Sequence, residues 1–167
     1  MPRGSKIESV HARQVYTWRG HPGIETTITT VNEASGVAMV LAGLSVGDYE
    51  VKFAYDGGAR YGGLGVQRAV DAVNDVIGPV LQGMDATRQI EIDRVMLELD
   101  GTADRSRLGG NTIASVSAAV LKAGARSLDI PLYRHIGGAN AMYLPVPSVP
   151  AAAGHERYGG GVTTPDP

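Results

Sequence analysis

The sequence contains no cysteine, which excludes disulfide frameworks, thiolate metal sites and cysteine nucleophiles. It is poor in lysine: Lys6, Lys52 and Lys122 are the three present, and the twelve arginines are scattered. The net charge of −2 carries no basic stripe, so neither nucleic acid nor an anionic membrane surface is an expected partner. No apolar run approaches the roughly 18 residues of a transmembrane span. The first six residues carry charge with no apolar stretch behind them, so no signal peptide is expected. Zero cysteine fits a cytosolic protein without fixing the compartment. No internal repeat is visible.

Glycine is what the chain has in quantity. With 23 glycines and 9 prolines among 167 residues, loops must take a large share of it. The 43% hydrophobic and 19% charged fractions suit one folded domain. A chain of this size buries roughly 70% of its unfolded surface, enough for a real core.

Local pattern predicts strands first and helices after. Ile7 to Trp18 is rich in β-branched and aromatic residues, Arg19 to Gly23 breaks it, and Ile24 to Val31 resumes it. Asn32 to Gly36 is a second turn and Val37 to Leu41 a third apolar run. Short turns between three strands predict an antiparallel meander. From Ala42 to Gly65 the pattern dissolves among glycines; irregular stretches of that length are usually functional or mobile. Helical spacing then appears at Val66, Val70, Val73, Ile77 and Val80, with Pro79 expected to kink or end the helix. Asp85 is the expected N-cap of a second helix, which carries Ile92, Val95, Met96 and Leu99 on one face and ends at Asp100-Gly101. A third helix starts near Asn111 or Thr112 and carries Ile113, Val116, Val120 and Leu121 among many small residues. Small residues let neighbours approach closely, which places this helix in the centre. Pro131 to Ile136 is a short final turn, and from Ala139 onward prolines and glycines recur without period, as in a linker or disordered tail. The fold class is α+β, with a domain over residues 1–143 and a tail over 144–167.

Generic motifs carry little chemistry. Gly62-Gly-Leu-Gly65 precedes a helix but lacks the Lys and Ser/Thr of a phosphate-binding loop; it reads as a tight turn. His155-Glu156 lacks the second histidine of a zinc protease motif, since position 159 is glycine. His11, His21 and His135 have no partners at ligand spacing and read as surface or satisfied core histidines. Asp71 and Asp75 stand at i, i+4, a pair that fits a cation but is more often a solvated face.

Several segments together resemble the amino-terminal domain of the enolase (phosphopyruvate hydratase) family. They are Ile7-Glu-Ser-Val-His-Ala-Arg13, Arg19-Gly-His-Pro with Glu25, Ser45-Val-Gly-Asp-Tyr-Glu50 and Gly63-Leu-Gly-Val66. Then come Ile77-Gly-Pro79, Leu97-Glu-Leu-Asp-Gly-Thr102, Leu108-Gly-Gly-Asn111, Lys122-Ala-Gly-Ala125, Pro131-Leu-Tyr-Arg-His-Ile136 and Leu144-Pro-Val-Pro147. The resemblance implies a three-stranded meander followed by a helical bundle. It also implies a second domain, an eight-fold α/β barrel, that holds three carboxylates for an essential Mg²⁺, a lysine base and a glutamate that helps hydroxide leave. Such a barrel takes roughly 250 residues, so it is expected to be absent here, and the isolated chain is expected to be inactive.

Residue by residue, the resemblance implies the following. Ala42-Gly-Leu-Ser-Val-Gly47 matches a family loop Ser-Gly-Ala-Ser-Thr-Gly that closes over substrate. Gly43, Leu44 and Ser45 would form the lid, with Ser45 matching the serine that reaches a second Mg²⁺. Ala42, Leu44 and Val46 depart from the pattern and make the lid more apolar. His155 is a substrate-loop candidate, although it lies about two positions earlier than the family's histidine and Arg157 stands nearer that place. Glu25 matches a glutamate that pairs across a dimer interface. The family implies a small phosphorylated substrate, Mg²⁺, a homo-oligomer in the full-length form and a cytoplasmic place in glycolysis. Two alternatives stand beside this reading. One is a non-catalytic interaction module or split subunit that pairs with a separate barrel; the other is part of a specialised lyase for a related phosphonate or carboxylate.

Overall fold

In β2 (Pro22–Thr30) the side chains alternate between two environments. Ile24, Thr26, Ile28 and Thr30 are buried, while Glu25, Thr27 and Thr29 are half-buried on the opposite face. This is the period-2 pattern of a strand with one face on a core. The computed structural model describes residues 3–41, 47–140 and 142–147. In it β2 is the middle strand of a three-stranded antiparallel sheet, between β1 (Ile7–Tyr16) and β3 (Ser35–Val40). Arg13 stands opposite Glu25, and Thr26 opposite Ala38. The meander read from the sequence is the one observed.

Helices follow: α1 (Gln67–Asp71), a π-helical stretch (Ala72–Ile77), α2 (Gly78–Leu81), α3 (Gln89–Asp100), α4 (Gly110–Ser127) and α5 (Leu132–Gly137). Helix α4 crosses the buried face of β2 and β3, with Val116, Ala119, Val120 and Ala123 fully buried. Its small residues bring main chain against main chain. A methyl group at Gly36 would lie 2.0 Å from the Ala119 carbonyl oxygen and 2.4 Å from the Ala123 nitrogen. A buried polar link through this contact joins two hydroxyls, Thr26 Oγ1 and Ser115 Oγ, at 2.8 Å.

Two sequence expectations are corrected. The first concerns the stripe ending at Val80. Leu81 is fully buried, and Val80 is 44% exposed. An i→i+5 turn takes up more residues than an α turn, so the π stretch shifts the helix phase by about one residue. It also lies directly before Pro79, where an α ladder would lack a donor and the ring would meet the carbonyl four residues back. The helix therefore runs through Pro79 to Leu81 without ending there. The second concerns Asp85. Helix α3 begins at Gln89 with Arg88 as its N-cap. Asp85 Oδ1 instead accepts the Thr87 N–H (2.9 Å) and hydroxyl (2.7 Å) in a tight turn three residues earlier.

The π stretch positions Asn74 against the outer edge of β1. Its Oδ1 accepts the Ala12 N–H at 2.8 Å, and its Nδ2 donates to the Ala12 carbonyl at 3.1 Å. The side chain thus replaces a missing neighbouring strand. Asn74→Ala leaves both main-chain groups unpaired in a half-buried place, and is expected to cost about 2 kcal/mol. A lowered urea midpoint with an unchanged slope is the expected readout.

Residues 142–147 have no regular structure, and most of the predicted tail (148–167) lies outside the described residues. Among the described residues there is no barrel, and no helix is long and apolar enough to cross a membrane.

Candidate functional site

Gly43, Leu44 and Ser45, the lid residues, lie outside the described residues, as does His155. The structure describes the mounting on both sides of 42–46: the end of β3, and the segment from Gly47 to Asp56.

That mounting is built on Asp100. The carboxylate is buried at the end of α3, where Gly101 takes a left-handed φ of 67° and stops the helix. Oδ1 accepts the Thr102 N–H at 3.0 Å and also the Thr102 hydroxyl; Oδ2 accepts the Leu108 N–H at 2.7 Å. Burial pushes the Asp100 pKa up. The Thr102 hydroxyl and the Leu108 and Thr102 amides outweigh it, and hold the group below its ordinary value of 3.8. Asp100 is therefore an acceptor that shapes the 101–109 loop, with no proton to lend.

The loop in turn grips residues 51–54. Lys52 N–H donates to the Asp104 carbonyl (2.8 Å), and Gly110 N–H donates to the Lys52 carbonyl (2.6 Å). Asn111, fully buried in the first turn of α4, accepts the Ala54 N–H (2.8 Å) and donates to the Ala54 carbonyl (3.2 Å). Two residues further on, Asp56 reaches the start of α1. Its two oxygens accept the N–H groups of Gln67 (3.0 Å) and Arg68 (2.8 Å). Those donors are what an anion would have met after Gly62-Gly-Leu-Gly65; the chain supplies its own carboxylate there. A side chain at Gly65 would strike Asp56 Oδ2, so that stretch is a packed turn, as its sequence suggested.

Sequence reading missed Asp56, Asn74 and Asn111 as clamps. Each bonds main chain many residues away, and no local spacing announces such a partner. Short polar side chains of this kind readily bond main chain, but nothing in the sequence around these three says which main chain they reach.

The remaining candidates separate in space. Glu25 lies on the face of the sheet away from α4, where Oε1 accepts from Arg13 Nε at 2.7 Å across the β1–β2 pair. Met39 stands opposite it on β3 and is 44% exposed. His21 is buried with Nδ1 at 3.1 Å from the Pro22 carbonyl, and His11 is exposed. Asp71 accepts a bond from Gln67 Nε2, and it and Asp75 are exposed. Among the described residues no three His, Asp or Glu side chains converge as a metal group.

Comparison with known proteins adds the family context. Residues 7–136 match the family described as "Enolase, N-terminal domain". The chain is similar to the enolase of Methanopyrus kandleri, with 49% identity over 159 residues (95% of this chain, 36% of that protein). It is 52% identical to the enolase of Mycobacterium leprae over 141 residues (84% and 33%). It is 47% identical to that of Methanothrix thermoacetophila over 154 residues (92% and 36%). The chain spans about a third of the length of these curated relatives.

Proposed function

This chain belongs to the enolase family, and from that premise we propose that it is the capping domain of a Mg²⁺-dependent lyase interconverting 2-phosphoglycerate and phosphoenolpyruvate. The observation that carries the reading is identity near one half across the whole sheet-and-helix domain, together with the match over residues 7–136.

The described residues do not fit the metal site of such a lyase. Asp56 and Asp100 spend both oxygens on main-chain N–H donors of this chain, and Asp85 accepts the Thr87 N–H and hydroxyl. Stabilising the dianion formed by proton loss beside a carboxylate calls for metal charge fixed by several converging carboxylates. The chain's own contribution is the cover. By the resemblance, Ser45 would offer a hydroxyl, a hard oxygen of the kind Mg²⁺ accepts, and the Asp100–Asn111 clamp fixes residues 51–54 on its downstream side. Leu44 and Val46 make the lid sequence more apolar than the family pattern, which leaves room for a related phosphonate or carboxylate as substrate. We assign His155 to a substrate loop and Glu25 to a contact between subunits, in a cytoplasmic homo-oligomer. Glu25 would then keep or exchange its Arg13 partner on assembly.

One observation favours a second body over a free-standing module. Tyr143, Leu144 and Val146 are more than 90% exposed, and Tyr133 and Ile136 of α5 more than 60%. Exposed apolar side chains in successive segments of the chain are what a docking partner would cover, whether the rest of the same chain or a separate barrel subunit.

The test is an assay for phosphoenolpyruvate from 2-phosphoglycerate with Mg²⁺. The chain alone is expected to give no turnover, and turnover by the chain alone refutes the assignment of the chemistry to another part. In a full-length form, Ser45→Ala is expected to lower the rate roughly a hundredfold, the size of losing one charge-stabilising contact. An unchanged rate and metal dependence removes Ser45 from the site.

A further inference from the structure

The sheet has two outer edges, closed in different ways. Along β1 the closure is main chain and amides. Ile7 N–H donates to the Met84 carbonyl and Gly83 N–H to the Ile7 carbonyl, both at 2.8 Å. Gln82 Nε2 donates to the Glu8 carbonyl at 3.1 Å, and Asn74 brackets Ala12. Along β3 the closure is two cations, one helical turn apart on α4. Lys122 Nζ donates to the Val37 carbonyl at 2.7 Å, and the Arg126 guanidinium donates to the Ser35 carbonyl.

The strand they cover needs covering. Ser-Gly-Val-Ala-Met-Val has no charge and no proline, and Val37 and Met39 are 40% and 44% exposed. An apolar, uncharged edge strand of six residues is a template for pairing with another chain. Proteins usually guard such an edge with charges on the strand itself; here the charges come from the helix beneath it.

We propose that Lys122 and Arg126 are gatekeepers of the β3 edge, and that they prevent antiparallel pairing of β3 with β3 of a second copy of this chain. The second copy is the fitting occupant because the free edge matches itself. Residues 35, 37 and 39 alternate with those bonded toward β2, so a two-fold axis at Val37 would pair Val37 with Val37 and Ser35 with Met39. That pairing requires the carbonyls on which the two cations now sit. This inference does not rest on the lyase reading.

The experiment compares variants of this chain by light scattering over a range of concentrations and by amide hydrogen exchange. Lys122→Met with Arg126→Met keeps the aliphatic cover and removes the donors. It is expected to at least double the mass relative to the unaltered chain at equal concentration, and to slow exchange at the Val37 and Met39 amides. Adding Met39→Lys, which places a charge on the edge itself, is expected to return both readings to those of the unaltered chain. Lys122→Arg with Arg126→Lys is expected to change neither. A folded double-Met variant with unaltered mass overturns the proposal, and so does added mass without slowed exchange along β3. If the double variant does not fold, Lys122→Met and Arg126→Met singly are read in the same way.

Discussion

Gly36→Ala is expected to destabilise the chain by about 3 kcal/mol, at the upper end of the cost of overpacking a well-filled core. The new methyl group would meet the Ala119 carbonyl oxygen and the Ala123 nitrogen, and both are main-chain atoms in the middle of α4. No side-chain rotation relieves such a clash; the helix must lift off the sheet. Lifting it opens the contact that buries Ile24, Ile28, Val116 and Val120. Domains of this kind are stable by roughly 5–15 kcal/mol, so the loss is large. Gly47→Ala is the matched control, because a methyl there meets nothing within 4 Å. Urea unfolding of both variants decides the matter. Equal midpoints for Gly36→Ala and the parent would show that α4 does not approach β3 as closely as described. Ala119→Gly should not rescue Gly36→Ala, since the clashing oxygen belongs to the backbone.

Asp100→Asn is expected to cost about 2 kcal/mol near neutral pH, the penalty for leaving buried donors poorly matched. The amide keeps the shape and turns a donor toward a pocket of donors: the Thr102 and Leu108 N–H groups and the Thr102 hydroxyl. The pH dependence identifies the cause. Asp100 has a lowered pKa in the folded chain, so its stabilising effect is complete above the unfolded-state value near 3.8 and is lost as pH falls through the lower folded value. The difference between parent and variant should therefore be widest near pH 7 and shrink in strong acid. Asp85 is lowered as well, so the variant keeps part of the acid sensitivity. A difference that stays constant from neutral pH into strong acid would remove the carboxylate charge as its source. Faster exchange of the Gly110 amide, which bonds the Lys52 carbonyl, would show the loss spreading to the mounting.

Much of this fold could be read from the sequence because its signals are local. The β-branched run Ile24–Val31, the Asp100-Gly101 stop and the small residues of α4 each state their structure within a few positions. Position 36 illustrates the limit. Its glycine reads as an ordinary turn residue, but the structure requires it because helix backbone lies against it from more than eighty residues away. Asp85 looks like a helix cap because the true start at Gln89 has no capping side chain. Asp56 escapes notice because its helix begins eleven residues later. The family was legible through Leu-Asp-Gly-Thr and Pro-Leu-Tyr-Arg-His-Ile, and the structure gives the first of these a physical role: Asp100, Gly101 and Thr102 stop a helix and fold back its loop. The lid residues themselves are known here from sequence alone.

The π stretch over Ala72–Ile77 bears on how the length of this chain can change. A helix that already accommodates a surplus residue has a defined place to lose one. Excising a single residue between Asn74 and Ile77 would restore the ordinary winding, and downstream side chains would keep their facing, because the excision cancels the one-residue shift in phase that the π stretch introduces. Leu81 would stay buried as the next residue of an ordinary α stripe, and Val80 would stay on the outer face. Shortening is therefore buffered at this point in a way it is not in α4, where losing one residue would turn every later side chain by about 100°.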